Sequence, residues 1–408
     1  MSFQQGLSGL NAAAKNLDVI GNNVANSGTV GFKQSQAQFA DVYANSLTGA
    51  GGSNAGIGTK VAQVTQLFTQ GNITSTNNPL DMAVNGGGFF RMETNGEIAY
   101  QRNGQFQLDK NGYIVNPTGG QLTGYTANAS GVLSTGAPSA LSINTSDLAP
   151  QITTEMDAVL NLDSGKTAID VAVTPFNMND STTFHNSTAA QIYDSLGNAQ
   201  TLQTYYVKRP SGAWDVYASS DGTQVGAGPV ASLSFNATGA LTTVMPLAAI
   251  NVPATATGAT TPFPVAFDFT GTTQFGSTFS VNSLKPDGYT SGRLSGFNIG
   301  ADGVILGRYT NGESAVLGQV VLANFANPNG LQPLGNNMWA ESATSGAALV
   351  GTPDSGGLGV LQSSAVEDSN VDLTAELVNL ITAQRVYQAN AQTIKAQDAV
   401  LQTLVNLR

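Results

Sequence analysis

From residue 373 to the end of the chain, Leu373, Leu377, Leu380, Gln384, Tyr387, Ala391, Ile394, Asp398, Leu401 and Val405 follow an unbroken alternation of four- and three-residue steps. Val378, Ile381 and Leu404 lie on the adjoining stripe. Positions in that rhythm share one face of a 3.6-residue helix, so the spacing predicts a single amphipathic helix about 54 Å long. No glycine or proline follows Gly359, as a long helix requires. Ser369 with Asp372 reads as a capping signal, and Glu367 and Asp368 suit the positive helix N-terminus. The other end of the chain repeats the pattern with Phe3, Leu7, Leu10, Ala14, Leu17, Gly21 and Val24; Ser2 and Gln5 form a candidate capping box and Ser27-Gly28 a stop.

Between these helices the texture changes. Residues 33–70 are transitional, with a Gly-rich tract whose Gly49, Gly51, Gly52, Gly56 and Gly58 suggest a flexible hinge. From about residue 71, short alternating runs are punctuated by Asn-Gly or Asp-Gly pairs beginning at Asn95, Asn103, Asn111, Asp221, Asp287, Asp302 and Asn311, each a β-hairpin signal. Strands are predicted at 201–208 and 213–219, joined by Arg209-Pro210-Ser211-Gly212, and at 265–270 and 278–284; the stretch 246–264 reads as a long loop. The expected fold class is mixed and mainly β, with paired, coiled-coil-like terminal helices and nested β-rich domains inserted between them.

Composition narrows the function classes. The 408 residues are 41% hydrophobic, enough for real cores, but only 10% charged, so the surface is mostly neutral and polar. Fifteen basic against 26 acidic residues give a net charge of −11, which disfavours nucleic acid and anionic membrane surfaces as partners. No apolar run is long enough to span a bilayer, and the opening MSFQQGLSGL lacks the pattern of a cleaved signal peptide. Cysteine is absent, which removes disulfides, thiolate catalysis and Cys-bound zinc.

Catalytic-looking fragments fail at required positions. Gly165-Lys166-Thr167 imitates the end of a phosphate-binding loop, but Leu160 stands where its leading glycine belongs. Asp368-Ser369-Asn370-Val371-Asp372 imitates a calcium loop, but Leu373 and Asn379 replace the required glycine and glutamate. His185 is the only histidine, leaving no partner for a metal site or triad. Asp81, Glu93 and Glu97 are acidic candidates for a hydrolase, with no convincingly placed pair. No enzyme activity, cofactor or metal is expected. A stripe on each terminal helix is too long and narrow to be sheltered by its own chain, so the termini are expected to order on assembly with other copies.

The stretches LNAAAKNLDVIGNNVANSGTVGFK (10–33) and SNVDLTAELVNLITAQRVYQANAQTIKAQDAVLQTLVNLR (369–408) resemble the shared opening and closing helices of flagellar rod and hook proteins. NPLDMAVNGGGFF (78–90), YQRNGQFQLDKNGYIVN (100–116) and VLGQVVLANFANPNGL, ending at Leu331, resemble core-domain blocks of the same family. The resemblance implies a terminal helical domain (1–32 plus 366–408), a linker (33–70), a core domain (71–145 plus 285–365) and an inserted outer domain (146–284). That insertion favours a hook subunit over the shorter distal rod protein; a glycan-binding adhesin is the rival from another class.

As a hook subunit, the chain is expected outside the cell, polymerised into a curved tube that acts as a universal joint between motor and filament. Expected partners are other copies of itself, distal rod and hook-filament junction proteins, the hook cap during assembly, and the flagellar type III export apparatus. The expected polymerisation residues are Phe3, Leu7, Leu10, Leu17 and Val24 with Leu373, Leu377, Leu380, Tyr387, Ile394 and Leu401.

Overall fold

Both predicted helices form: α1 spans Ser2–Ala25 and α2 spans Leu373–Asn406. The structure is a computed structural model that describes residues 2–42, 56, 58–128, 131–254 and 258–406. Among the described residues, everything between the helices is β-structure and connecting turns, apart from one short 3-10 turn at Pro328–Gly330. The cap of α2 is Asp372 itself, whose Oδ1 accepts from the N–H groups of Thr374 at 2.9 Å and Ala375 at 3.1 Å. Ser369 accepts from the Val371 N–H instead. At the other end, the Gln5 side chain donates to the Gly56 carbonyl at 2.6 Å; the capping box read from the sequence involves the Ser2 side chain, which lies outside those described.

The described parts of 33–70 contain a strand pair. Strand β1 (Ser35–Val42) pairs antiparallel with β2 (Gly58–Gln66), from Ser35 opposite Gln66 to Val42 opposite Gly58, with a register shift after Gln38. Alternation of polar and apolar residues through Gln36-Ala37-Gln38-Phe39 supplies a strand pattern, and α1 supplies a surface to pack on. Gly58 is therefore a strand residue and Gly56 a hydrogen-bond acceptor, not free hinge points. Gly49, Gly51 and Gly52 lie outside the described residues.

The chain divides into two compact units. The first comprises residues 1–144, 297–307 and 315–408, so the terminal helices share a unit with the β-structure that follows them. Strands β3 (Ile73–Ser75) and β4 (Met82–Asn85) pair with the late strands Ala365–Glu367 and Val360–Ser363, which brings the two ends of the unit together. Strands β5 (Phe89–Thr94) and β6 (Glu97–Gln101) form a hairpin in a larger sheet, joined by Asn95 and Gly96, both at positive φ. Phe68, Phe89, Tyr100, Phe325 and Trp339 pack edge to face on this sheet, and Trp339 Nε1 donates to Gln66 Oε1 at 2.6 Å.

The second unit comprises residues 145–296 and 308–314. It extends past the expected end at 284 because the 308–314 turn returns to it: Thr310 N donates to the Arg293 carbonyl and Asn311 Nδ2 to the Thr290 carbonyl. Two sheets enclose its core. Glu155–Asn161 lies between Phe263–Asp268 and Ser280–Pro286, while Ala199–Lys208 lies between Asn186–Tyr193 and Trp214–Ser220. Leu160, Leu202, Tyr206, Trp214, Val216, Phe263, Val265 and Phe267 fill the space between the sheets. Every residue of Trp214–Ser220 is buried, because Phe176, Met178 and Phe184 cover the sheet's other face at Tyr205 and Tyr217. The expected loop at 246–264 contains a further strand, Ile250–Val252, paired with residues 263–265.

Of the seven Asn-Gly and Asp-Gly pairs read as hairpin signals, five are hairpin turns, with the glycine at positive φ at positions 96, 112, 222, 303 and 312. The other two glycines serve close approach. A Cβ at Gly104 would collide with the Met82 carbonyl oxygen, and one at Gly288 with Thr153. Local sequence cannot separate the two uses, since the crowding atoms come from distant residues. His185 is half-buried and structural: Nδ1 accepts from the Lys208 N–H at 3.2 Å, so Nε2 carries the proton given to the Thr167 carbonyl at 2.7 Å. Gly104→Ala is expected to destabilise the first unit by about 3 kcal/mol, measured by urea unfolding, whereas Gly222→Ala, with open space around it, is expected to cost about 1 kcal/mol from its positive φ.

Candidate assembly interface

The terminal helices are positioned by a buried charge cluster. Glu367 Oε1 accepts from Lys33 Nζ at 2.6 Å and from the Gly71 N–H at 2.9 Å, while Oε2 accepts from Arg102 at 3.1 Å. The Glu367 carbonyl takes the Gly31 N–H, Lys33 Nζ also donates to the Thr69 carbonyl, and Arg102 donates to the Gly86 carbonyl. The side chains of Lys33 and Glu367 have no solvent exposure and that of Arg102 has 5%. Glu367 thus belongs to the Ala365–Glu367 strand and this cluster, not to the start of α2 as its position suggested. Burial pushes both the Lys33 ammonium and the Arg102 guanidinium below their ordinary values, against the opposing pull of the Glu367 carboxylate.

Amide side chains continue the connection to both helices. Asn23, buried in α1, holds both backbone groups of Ser35, giving its Nδ2 to the carbonyl and taking the N–H on Oδ1. Asn370 takes the Gln34 N–H at 2.7 Å and gives to the Leu67 carbonyl at 2.7 Å. The chain entering α2 is thereby fixed beside the chain leaving α1. The sequence pointed to Glu367 only as a charge near the start of α2 and to Asn370 only within a failed calcium-loop pattern, and it singled out neither Lys33, Arg102 nor Asn23. Their partners lie far away along the chain, so local spacing carries no signal for the cluster.

From this anchor the helices run antiparallel. A Cβ added at Gly6 would lie 3.1 Å from Ile394, and one at Gly9 would lie 2.8 Å from the Asn390 side chain, so the glycines permit close approach. The face of α1 that is buried carries Ala12, Ala13, Val19, Ile20 and Asn23; the face of α2 that is buried carries Glu376 and Ala383. Glycine and alanine thus set the closest approach of the seam, with Val19 and Ile20 buried beside them.

Most of the large stripe residues lie outside that close approach. Phe3, Leu7, Leu373, Leu377, Tyr387 and Leu401 are exposed, while Leu10, Leu17, Val24, Leu380 and Ile394 are half-buried. Val378, Ile381, Val386 and Val400 on α2, with Phe39 and Val64 on the β1–β2 ribbon, add to the exposed apolar surface. The stripe read from spacing as one seam is divided. Close packing at Gly6 and Gly9 turns one side of α2 inward and leaves the adjacent side uncovered. The acidic candidates are not assembled into a site: Asp81 accepts from Asn78 Nδ2, and Glu93 stands opposite Ile98 in the β5–β6 hairpin.

Removing the Glu367 carboxylate would leave two buried cations unpaired, so Glu367→Ala is expected to cost about 3–5 kcal/mol in urea unfolding. Between the lowered value of Lys33 in the folded chain and its ordinary 10.5, the unfolded chain binds more protons, so this group makes stability rise with pH across that window. Lys33→Met is expected to reduce that rise when unfolding free energies are compared between pH 7 and pH 10.5; an unchanged slope would contradict it.

Four family models match the chain in order: flagella basal body rod protein at residues 3–33, the flagellar hook protein FlgE/F/G D1 domain at 83–163, the flagellar basal body protein FlaE D2 domain at 161–289, and the flagellar basal body rod FlgEFG protein C-terminal region at 362–407. The chain is 44% identical to the flagellar hook protein FlgE of Escherichia coli (strain K12) over 414 residues, covering 100% of both chains. It is 32% identical to the FlgE of Rhizobium meliloti over 427 residues, covering 100% of this chain and 98% of that protein. A crystal structure of Helicobacter pylori flagellar hook protein FlgE2 shares the fold at TM-score 0.56 and 14% identity, covering 72% of this chain and 100% of that one. With full-length similarity at that level of identity, the chain belongs to the flagellar hook protein family.

Proposed function

We propose that this chain is the structural subunit of a bacterial flagellar hook, and that it polymerises through its terminal helices into a curved, flexible tube that carries motor torque to the filament. One observation carries the assembly mechanism: the helix pair packs closely at Gly6 and Gly9 and leaves Phe3, Leu7, Leu373, Leu377 and Leu401 exposed. Such a surface gains most when covered by neighbouring copies. The half-buried Leu10, Leu17, Val24, Leu380 and Ile394 border it, and Tyr387 widens it. The weakly charged outer surface of the second unit allows similar contacts to be exchanged as the tube bends.

The family reading extends to partners and place. The hook lies outside the cell, with distal rod and junction proteins at its ends and a cap during growth. Its subunits travel through the flagellar export apparatus as unfolded chains, which the absence of cysteine suits. In the monomer the outer apolar faces of both helices stay uncovered, so their full ordering is coupled to assembly.

Electron microscopy of the full-length protein is expected to show curved tubes, and of a chain lacking residues 1–25 and 373–408 only monomers; normal tubes from the shortened chain would refute the mechanism. Leu377→Asp is expected to abolish tubes while shifting monomer stability by no more than about 0.5 kcal/mol, since the residue is exposed. Amide hydrogen exchange across α1 and α2 is expected to slow in the polymer relative to the monomer.

A further inference from the structure

A groove of about 670 Å³ runs between α1, α2 and the β1–β2 ribbon, with Ala12, Val19, Phe39, Ala383 and Val386 among its lining residues. Glu376 is the one charged residue lining it among those described. Its Oε1 accepts from Gln34 Nε2 at 2.6 Å, but Oε2 is buried without a hydrogen-bond partner, and the residue is only 3% exposed. An unpaired carboxylate oxygen in such a place is costly. A cationic donor that brings apolar neighbours would satisfy both the charge and the groove wall.

The chain carries that combination on the opposite side of the same helix. Arg385 follows Glu376 by nine residues, roughly 180° around α2 at about 100° per residue. Arg385 is exposed and makes no ion pair among the described residues; Val378 and Ile381, 59% and 51% exposed, share its face. We infer that the groove receives α2 of a second copy, whose Arg385 pairs with Glu376 while Val378 and Ile381 cover the apolar wall. This contact rests on the self-assembly reading and specifies it further. Because knob and groove lie on different faces, each copy can receive one neighbour and enter another, so the contact is head-to-tail and extends into a helical array where the rotation between neighbours does not close a ring.

The test is a double-mutant cycle on the full-length protein, with the critical concentration for polymerisation as the readout. Arg385→Gln and Glu376→Gln are each expected to raise it by at least about tenfold, and the double variant by little more than either alone. Circular dichroism and thermal unfolding of the monomers separate loss of contact from loss of fold. As the chain has no cysteine, a chain carrying both Asn379→Cys and Ile381→Cys offers a second measurement, since it retains both charged residues. On oxidation within the polymer it is expected to give a ladder of covalent oligomers. Additive effects in the cycle, an effect of Glu376→Gln without one of Arg385→Gln, or oxidised polymers without a ladder would overturn the assignment. A wild-type chain that stays monomeric at every concentration would instead overturn the assembly reading, and this contact with it.

Discussion

The carboxylate of Glu367, enclosed with Lys33 and Arg102, is the constraint on which the arrangement of the first unit depends. It gathers the end of the N-terminal segment, the strand preceding α2 and the β-structure between them into one solvent-free cluster. Burying three charges is expensive, and hydrogen bonds to Thr69, Gly71 and Gly86 are needed to offset the loss of water. A cluster of this kind adds little net stability compared with apolar packing, but it tolerates few alternative arrangements. It fixes where the long terminal helices begin and end relative to the sheets.

Once anchored, the helices divide their side chains by size. Glycine and alanine allow the two backbones to approach, so the seam inside one chain is narrow and buries little apolar area. Larger side chains such as Phe3, Leu7, Leu377 and Leu401 are left on exposed faces. Under the proposed assembly, stability of the helical ends and association with neighbours become parts of one free-energy balance. The β1–β2 ribbon contributes to both, packing on α1 while presenting Phe39 and Val64 outward.

The second unit follows the opposite principle. Its sandwich core is closed, and its most buried strand, Trp214–Ser220, is covered on both faces. Its fold therefore rests on its own core, although Val173, Leu196, Val244 and Phe275 remain exposed.

Features set by neighbours in sequence were legible from the sequence alone. The helical periodicity of both termini, the hairpins at Asn95, Asn111, Asp221, Asp302 and Asn311, and the strands around Arg209–Gly212 depend on residues a few positions apart. The family resemblance lay in ordered blocks of the same kind. Tertiary structure alone decided which side of each helical stripe turns inward, that 33–70 contains a paired ribbon, that Gly104 and Gly288 serve close contact rather than turns, and that Lys33, Arg102 and Glu367 meet. Those outcomes arise from side chains brought together from as far apart as Lys33 and Glu367. Periodicity records that a face is apolar; only the packed chain determines what covers it, and what is left for a neighbour.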